Sequence, residues 1–320
     1  MSLQMSRLKN KLRRSFRGRY GIREVNRLAS GRAFNHPACQ VPHIQAGQKR
    51  TPEMQRQFMK VDPKQLHILA IHAHPDDIEF QCAGTLLQLK QLGCRISVAT
   101  MTPGDCGSAE HTCDEIAAIR REEARQAAAI LEAEYTCLEF RDLSIVFDND
   151  CRRRVTEFLR RTAPDVILTA PPMDYMHDHE ITSALIRDAC FNASVPNYRT
   201  SQWDPAPATQ RIPWLYFVDP IEGIDHFGNR QPSDFVVDVT QEFAKKLQSL
   251  ACHTSQREWL RRQHGMDEYL EACKRWSGQR GREAGVEFGE GFRQYKGHPH
   301  PSSNVLLDLL GSSIRFPESV

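Results

Sequence analysis

A histidine and two adjacent aspartates follow the first apolar run of the chain that suits a buried strand. The run LHILAI covers residues 66–71, and the segment HPDD occupies residues 74–77. A catalytic zinc ion takes three protein ligands of the His, Asp, Glu or Cys type and keeps a fourth position for water. That water ionises near neutral pH, and a nearby carboxylate can accept its proton during attack on a carbonyl. An aspartate before a helix is also a common N-cap, so HPDD alone does not decide between the two interpretations.

The spacing within HPDD nevertheless suits a metal site. His74 and Asp77 are three residues apart on a turn, so both side chains can face one point, and Asp76 between them can approach a bound water. A third ligand must come from another segment. The strongest candidate is His179, in the segment DYMHDHE at residues 174–180, which follows a later strand. Zinc suits this mixture of imidazole and carboxylate ligands, although other divalent ions can occupy it.

From residue 66 the chain alternates between strand-like and helix-like segments. The predicted strands are residues 66–71, 95–101, 136–140 and 165–170, and the predicted helices are residues 78–92, 115–132, 151–162 and 179–191. Four such repeats predict an α/β fold, a Rossmann-like and mostly parallel sheet with helices on both faces. Such sheets bind ligands outside the carboxyl ends of their strands. We therefore expect the two histidine-containing segments to meet at one edge of the sheet.

The pattern weakens beyond residue 200. The predicted elements there are strands at 214–220 and 234–240, helices at 241–253, 255–276 and 305–310, and a Gly-rich loop at 278–291. No repeat and no second domain is evident. We interpret residues 63–320 as a single domain, whose part from about residue 200 caps the active site.

Residues 1–62 are predicted to be a basic N-terminal extension. Residues 1–60 carry 14 Lys and Arg against Glu24 and Glu53, whereas the rest of the chain is net acidic. A basic arm on an acidic body favours docking within the protein or between subunits, so we expect a homo-oligomer and regard nucleic acid as an unlikely partner. No apolar run reaches the ~18 residues of a membrane span. Ten cysteines without a C-x-x-C pair indicate reduced thiols and a cytoplasmic protein.

The segment IHAHPDDIEFQCAGTL at residues 71–86 resembles the signature of the LmbE-like, or PIG-L-like, N-acetylglucosaminyl deacetylase family, whose first motif is A-H-P-D-D. The family's second motif, H-P-D-H, is matched in part by MHDH at residues 176–179. The resemblance covers about residues 65–190 and, more loosely, residues 250–295. It implies a Rossmann-like fold, a zinc site and removal of acetyl groups from amino sugars. A nucleotide-binding Rossmann enzyme is disfavoured, because no G-x-G-x-x-G follows the first strand.

The resemblance also implies roles for individual residues. His74, Asp77 and His179 match the zinc ligands of the family. Asp76 matches the general base, and Asp178 matches the aspartate that supports an active-site histidine.

Three further residues match positions that bind substrate in the family. Arg120 matches an arginine that grips the sugar or its attached group, Asp142 an aspartate that binds sugar hydroxyls, and Asp105 an acidic loop residue near the pocket. Each has an ordinary structural alternative: a surface salt bridge for Arg120, a cap for Asp142 and a turn residue for Asp105.

One position departs from the family. Its second motif begins with a histidine that polarises the oxyanion or donates a proton, and this chain has Met176 there. His177 is one candidate to replace it, and His72 is another because strand alternation points it to the same side as His74. Residues of the C-terminal part are further candidates for the pocket: His226, His253, Gln256, His264 and Glu290.

The sequence thus predicts a zinc-dependent hydrolase that removes an N-acetyl group from an amino sugar or glycoside. Two alternatives remain open. A zinc amidase acting on a non-sugar acylated amine would explain the departure at Met176, and a non-catalytic binding or assembly protein would explain the basic extension. No inference from the residues fixes the substrate.

Overall fold

The structure is a computed structural model that describes residues 61–264 and 268–317. The predicted extension at residues 1–62 lies almost entirely outside these residues. In the described part of the chain, one eight-stranded sheet is flanked by nine α-helices.

The sheet is parallel over its first five strands and antiparallel over the rest. Its strands are β1 (His67–His72), β2 (Arg95–Thr100), β3 (Glu134–Cys137), β4 (Val166–Thr169), β5 (Trp214–Val218), β6 (Phe235–Asp238), β7 (Gly289–Gln294) and β8 (Ile314–Arg315). Their order is β3-β2-β1-β4-β5-β7-β6-β8. The parallel strands follow the order of a doubly wound fold, 3-2-1-4-5. The strands β7, β6 and β8 add to β5 in antiparallel pairs.

Helices connect the strands and continue the chain beyond β6. They are α1 (Asp77–Gln81), α2 (Ala83–Gln91), α3 (Cys113–Ile130), α4 (Asn149–Thr162), α5 (His177–Asn192), α6 (Phe243–Ala251), α7 (Thr254–His264), α8 (Glu268–Glu283) and α9 (Val305–Leu310). Local sequence signals explain where several of these helices begin. The helix α3, for example, begins with a capping box in which Thr112 and Glu115 satisfy each other's backbone N–H groups.

Apolar side chains cover both faces of the sheet. The side chains of β1 alternate between the faces: Ile68 packs in a cluster with Leu86 of α2, and Ile71 packs in another with Val155 of α4 and Leu185 of α5. This two-sided burial explains why β1 is a continuous apolar run. The predicted fold class, an α/β protein with a mostly parallel sheet, is confirmed.

The predicted single helix at residues 78–92 is wrong, because the chain breaks at Cys82. The backbone there has φ −145° and ψ 11°, so α1 ends and α2 begins anew. The first backbone N–H groups of α2 need acceptors from outside the helix. The Glu290 carboxylate, on the distant strand β7, accepts hydrogen bonds from Gly84 N (2.9 Å) and Thr85 N (2.7 Å). The apolar spacing continues through the break and therefore does not reveal it.

The predicted Gly-rich loop at residues 278–291 is also wrong, since α8 runs to Glu283 and β7 begins at Gly289. A Cβ atom at Gly291 would collide with the Asp219 carboxylate and the Ser233 hydroxyl, so this strand position requires a residue without a side chain. Much of the region beyond residue 200 extends the sheet, and α7 and α8 are the helices of this region that line the candidate site.

Candidate active site

The loops after three parallel strands of the sheet carry the predicted residues. HPDD follows β1, the loop with Asp142 follows β3, and the segment of residues 174–180 follows β4. Because β1 pairs with β4 in parallel register, with Ile71 opposite Thr169, their following loops leave the same edge side by side. The expectation that the two histidine-containing segments meet at one edge is confirmed.

The HPDD turn directs its two aspartates to different partners. The His74 backbone N–H donates to the Asp77 carboxylate at 2.8 Å, which closes the turn at the start of α1. Asp76 has φ 100° and ψ −30°, a conformation that non-glycine residues rarely adopt. This backbone places Asp76 on the wall of a cavity, while Asp77 contacts the histidines.

The three predicted metal ligands lie together. Asp77 Oδ2 is 3.4 Å from His74 Nδ1, and Asp77 Oδ1 is 3.4 Å from His179 Nε2. The two imidazole rings are 5.3 Å apart between centroids, and all three side chains are buried. One nitrogen of each imidazole therefore faces the same carboxylate.

The opposite nitrogen of each of these imidazoles is held by further carboxylates. His74 Nε2 lies 3.0 Å from Asp142 Oδ1 and 3.3 Å from Asp178 Oδ2. His179 Nδ1 lies 3.1 Å from Asp174 Oδ2. Histidines that bind metals usually donate their other ring N–H to a carboxylate or carbonyl, which fixes the tautomer and the ring orientation. The arrangement of both imidazoles fits that of metal ligands.

His72 is a further imidazole beside the same carboxylate. Its Nδ1 is 2.6 Å from Asp77 Oδ2, and its ring centroid is 4.6 Å from that of His179. The ligand atoms of His72, Asp77 and His179 are close enough to hold one cation, as are those of His74, Asp142 and Asp178. Nε2 of His72 has no hydrogen-bond partner among the described residues, unlike the outer nitrogens of His74 and His179. The carboxylates at the outer nitrogens thus favour His74 and His179 as the ligands.

We call these buried residues the histidine–aspartate cluster: His72, His74, Asp77, Asp142, Asp174, Asp178 and His179. Burial and neighbouring charges set their protonation. Burial lowers the pKa of His74, but hydrogen bonds to Asp142 and other carboxylates outweigh it and raise this pKa well above the ordinary value. Burial raises the pKa of Asp77, but the neighbouring His179 and His72 hold it well below the ordinary value. Four carboxylates around three imidazoles give an environment that favours a cation.

Asp76 lies next to this cluster, in a different environment. Burial raises the pKa of Asp76 above its ordinary value, and the Arg120 guanidinium, whose Nη2 is 3.4 Å from Asp76 Oδ2, only partly offsets this effect. A carboxylate with a raised pKa is a better proton acceptor near neutral pH than an ordinary one.

The buried Arg120 also holds the loops of the site. Its guanidinium donates to Pro75 O at 2.9 Å and to Gly104 O at 3.4 Å. Gly104 has φ +72°, and a Cβ atom there would collide with the Arg120 guanidinium. Arg120 therefore both lines the cavity and braces the HPDD turn.

Asp105 is placed as a brace rather than in the cavity wall. Its carboxylate accepts from Asp142 N at 2.9 Å and from Arg141 Nη1 at 2.8 Å, and it is buried. These bonds fix the loop that presents Asp142. The Oδ2 atom of Asp142 accepts from Cys106 N at 3.2 Å, while its Oδ1 atom faces His74. The structural alternative describes Asp105 better than direct substrate contact.

The structure also separates the candidates for the missing acid histidine. Met176 lines the cavity, whereas His177, at the start of α5, is exposed and does not line it. His226 lies near Glu180, with 3.3 Å between Nδ1 and Oε1, and His253 is buried with its Nε2 3.3 Å from Glu79 Oε2.

Of the remaining C-terminal candidates for the pocket, one lines the cavity and one does not. Gln256 lines the cavity, whereas Glu290 is buried in contact with α2 and with Lys246. The side chain of His264 lies outside the described residues.

A cavity of about 790 Å³ opens over the cluster. Besides Gln256, six residues with a predicted role in metal binding, catalysis or substrate binding line it: His74, Asp76, Asp77, Arg120, Asp142 and His179. Among the residues of the site that the sequence does not single out, Asp174 and Tyr269 lie beside its charged groups. Asp174, which orients His179, lies in the predicted segment, but its spacing of five residues from His179 matches no motif. Tyr269 of α8 lines the cavity close to Asp76, and nothing in its local sequence distinguishes it.

The α/β sheet thus places buried imidazoles and carboxylates at the carboxyl ends of its strands, in groups close enough to hold a metal ion. Residues 69–190 match the PIG-L family, described as GlcNAc-PI de-N-acetylase. The resemblance of the HPDD segment to the LmbE-like, or PIG-L-like, family is confirmed by this match.

Several proteins of stated activity are similar in sequence. Diacetylchitobiose deacetylase of Thermococcus kodakarensis is 25% identical over 197 residues, which cover 59% of this chain and 69% of that protein. Probable N-acetyl-alpha-D-glucosaminyl L-malate deacetylase 2 of Bacillus anthracis is 25% identical over 199 residues, covering 59% of this chain and 81% of that protein. A 4-oxalmesaconate hydratase of Pseudomonas putida is 24% identical over 215 residues, which cover 63% of this chain and 78% of that protein.

Solved structures share the fold. N,N'-diacetylchitobiose deacetylase from Pyrococcus horikoshii superposes with a TM-score of 0.62 at 24% identity, covering 81% of this chain and 99% of that one. A 4-carboxy-2-hydroxymuconate hydratase from Pseudomonas putida superposes with a TM-score of 0.61 at 22% identity, covering 75% of this chain and 99% of that one. Among the described residues, no helix has the length and apolarity needed to cross a membrane.

Proposed function

We propose that the protein is a divalent-metal-dependent hydrolase that removes an N-acetyl group from an amino sugar or glycoside. The observation that carries this proposal is the pair of imidazoles, His74 and His179, that face Asp77 while carboxylates hold their outer nitrogens. The match to the PIG-L family and the similarity to two deacetylases of N-acetylated sugars support it.

His74, Asp77 and His179 would hold the ion, with zinc as the expected metal and other divalent ions as substitutes. When bound, such an ion lowers the pKa of water and polarises a carbonyl oxygen. The chain keeps these ligands in place through Asp178 and Asp142, behind His74, and through Asp174, behind His179.

Asp76 is the proposed general base. It lines the cavity beside Asp77, and burial raises its pKa, so it can accept the proton of an attacking water and later return it to the leaving amine. The products are then acetate and a protonated amine, and Arg120 keeps the Asp76 carboxylate in place. The exposed His177 has no part in this proposal.

Substrate binding is assigned to the polar residues of the cavity. Asp142 and Arg120 both line it, and we propose that they bind the hydroxyl and amide groups of the sugar. Asp105 contributes indirectly, because it fixes the loop that carries Asp142.

The test is release of amine and acetate from N,N'-diacetylchitobiose and N-acetylglucosamine by zinc-loaded, full-length protein. Asp76→Asn is expected to keep zinc but lose activity by roughly 10²- to 10⁴-fold, the usual contribution of a general base. The matched control is Asp204→Asn, a carboxylate whose side chain is 97% exposed. Equal turnover by the Asp76 variant and the parent would remove this residue from the mechanism.

Hydration of an acidic substrate is a second candidate, because a hydratase is among the similar proteins. The carboxylates of the cavity argue against it, since Asp76, Asp77 and Asp142 line it and Arg120 is the one Lys or Arg among the described lining residues. A panel of non-sugar N-acetyl amines and unsaturated carboxylates in the same assay separates the alternatives. Turnover of those compounds, without any of the sugars, would favour an amidase or a hydratase.

A further inference from the structure

The cavity has two kinds of wall. The floor carries the charged side chains of the proposed reaction, such as Asp76, Asp77 and Arg120. Away from them, the lining is mostly apolar and comes from six separate segments of the chain.

One apolar wall is formed by Phe80 at the end of α1, Leu260 of α7, and Tyr269 and Ala272 of α8. The rings of Phe80 and Tyr269 lie 6.2 Å apart between centroids in an edge-to-face arrangement. Phe80 and Leu260 also pack on a buried apolar cluster that includes Phe243. This wall is therefore supported by the protein core.

A second apolar wall includes Met176 at the start of α5 and Ile221 in the segment after β5. At the mouth, Leu143 and Tyr175 line the cavity with 65% and 66% of their surface exposed. Large apolar side chains exposed together at a cavity mouth are typical of ligand-binding sites.

An unsubstituted amino sugar does not match these walls. Its hydroxyl groups would lose hydrogen bonds with water and gain few in return against Leu260 or Ile221. An apolar group would instead gain about 25 cal/mol for each Å² removed from water. The cavity volume of about 790 Å³ falls in the range of sites for drug-sized ligands, which leaves room for such a group beside the sugar.

We propose that the natural substrate is an amino sugar bearing an apolar chain or ring, and that this group lies against the wall of Phe80 and Leu260 and the wall of Met176 and Ile221. The inference rests on the proposed function. The apolar group is either the aglycone or the acyl chain, and both place the same chemistry in the cavity.

Two substrate series test the inference on the zinc-loaded, full-length protein. The first compares methyl and hexyl N-acetyl-β-glucosaminides, and the second compares N-acetyl and N-hexanoyl forms of the methyl glycoside. We expect kcat/KM to rise roughly tenfold or more for the hexyl or the hexanoyl compound, since even one methylene in an apolar pocket is worth about 10- to 200-fold. The series that shows the rise identifies the position of the group. Equal values in both series would overturn the inference.

Variants of the two walls locate the effect. Leu260→Asn and, independently, Ile221→Asn should reduce the ratio of kcat/KM between the apolar compound and its short counterpart. Leu92→Asn is the control, because Leu92 is 39% exposed, follows α2 and does not line the cavity. A ratio that stays at the parental value in a folded Leu260 variant and a folded Ile221 variant would contradict the proposed location.

Binding separates this inference from the proposed function. If no compound is deacetylated, the proposed function fails, and calorimetric titration with the hexyl and methyl glycosides then tests the apolar walls alone. Binding of the hexyl glycoside roughly tenfold tighter than the methyl glycoside, weakened by Leu260→Asn, would support the apolar site. Equal affinities would overturn it.

Discussion

Two of the buried groups of charged side chains differ in how their charges are balanced. In the first, the Lys246–Glu290 network, the Lys246 ammonium donates to Glu290 Oε1 at 2.7 Å and to Phe80 O at 2.8 Å. The same carboxylate accepts from two backbone N–H groups of α2, so each of its oxygens has donors.

In the second, the histidine–aspartate cluster, four carboxylates surround three imidazoles, and His72 Nε2 has no hydrogen-bond partner among the described residues. A balanced network stabilises one packing of the chain, whereas an excess of buried carboxylates is tolerated where a cation is expected. The comparison thus separates a structural network from a candidate functional one, and the following changes test it.

The largest effect is expected for Asp77→Asn. This change removes the carboxylate that both His74 and His179 face. We expect zinc affinity to fall by roughly a thousandfold or more, since losing a ligand to a divalent ion costs several kcal/mol. Competition with a chromogenic chelator measures the affinity, and elemental analysis after dialysis gives the zinc content. A zinc content equal to that of the parent would contradict the ligand assignment.

Glu290→Gln tests the structural network. The change leaves the fully buried Lys246 ammonium without its counter-charge, which costs about 3–5 kcal/mol in the free energy of unfolding. Urea unfolding measures this loss. The double variant Lys246→Met with Glu290→Gln should recover part of it, because no buried charge then remains unpaired. The zinc content of the folded Glu290 variant should equal that of the parent, and a matching loss of zinc would show that the two groups are coupled.

Asp174→Asn tests the carboxylate behind His179. An amide in place of this carboxylate, 3.1 Å from His179 Nδ1, should lower zinc affinity by roughly 10- to 100-fold, as is typical of such outer partners. The same chelator competition measures it, and the urea unfolding midpoint of the zinc-free protein serves as the control for folding. An unchanged affinity would mean that the carboxylate does not orient the imidazole.

The smallest effect is expected at the start of α7. Glu123 accepts from Ser255 N at 2.7 Å and from Ser255 Oγ at 2.6 Å, and so holds the helix that carries Leu260. Glu123→Gln should lower the free energy of unfolding by about 1 kcal/mol, the usual value of a helix cap, and leave the zinc content unchanged. Glu122→Gln, on the exposed side of α3, is the control and should change stability by less than about 0.5 kcal/mol. Equal stability of the two variants would show that the cap contributes nothing.

The HPDD turn and its meeting with the segment of residues 174–180 can be predicted from the sequence, because they depend on local spacing and one topological rule. A turn that begins at His74 and ends at Asp77 aligns both side chains, and parallel strands send their following loops to one edge. The ligand roles themselves, which both the spacing and the family resemblance predict, remain a proposal.

The rest depends on contacts between distant segments. Tyr269 reaches the cavity because α8 packs beside α1, and no pattern within α8 encodes that packing. The family resemblance makes Glu290 a candidate for the pocket, yet β7 buries it against α2. Asp105 resembles a pocket residue by position, and only the structure shows its bonds to the loop of Asp142.

The backbone at Asp76 has a consequence for how the protein can be improved. With φ 100° this residue occupies a conformation that glycine would adopt at less cost, so a chain selected only for thermal resistance would lose the carboxylate there. With Asp76 as the proposed general base, activity and stability make opposite demands on this residue, and thermostabilised variants of the protein should keep the aspartate there.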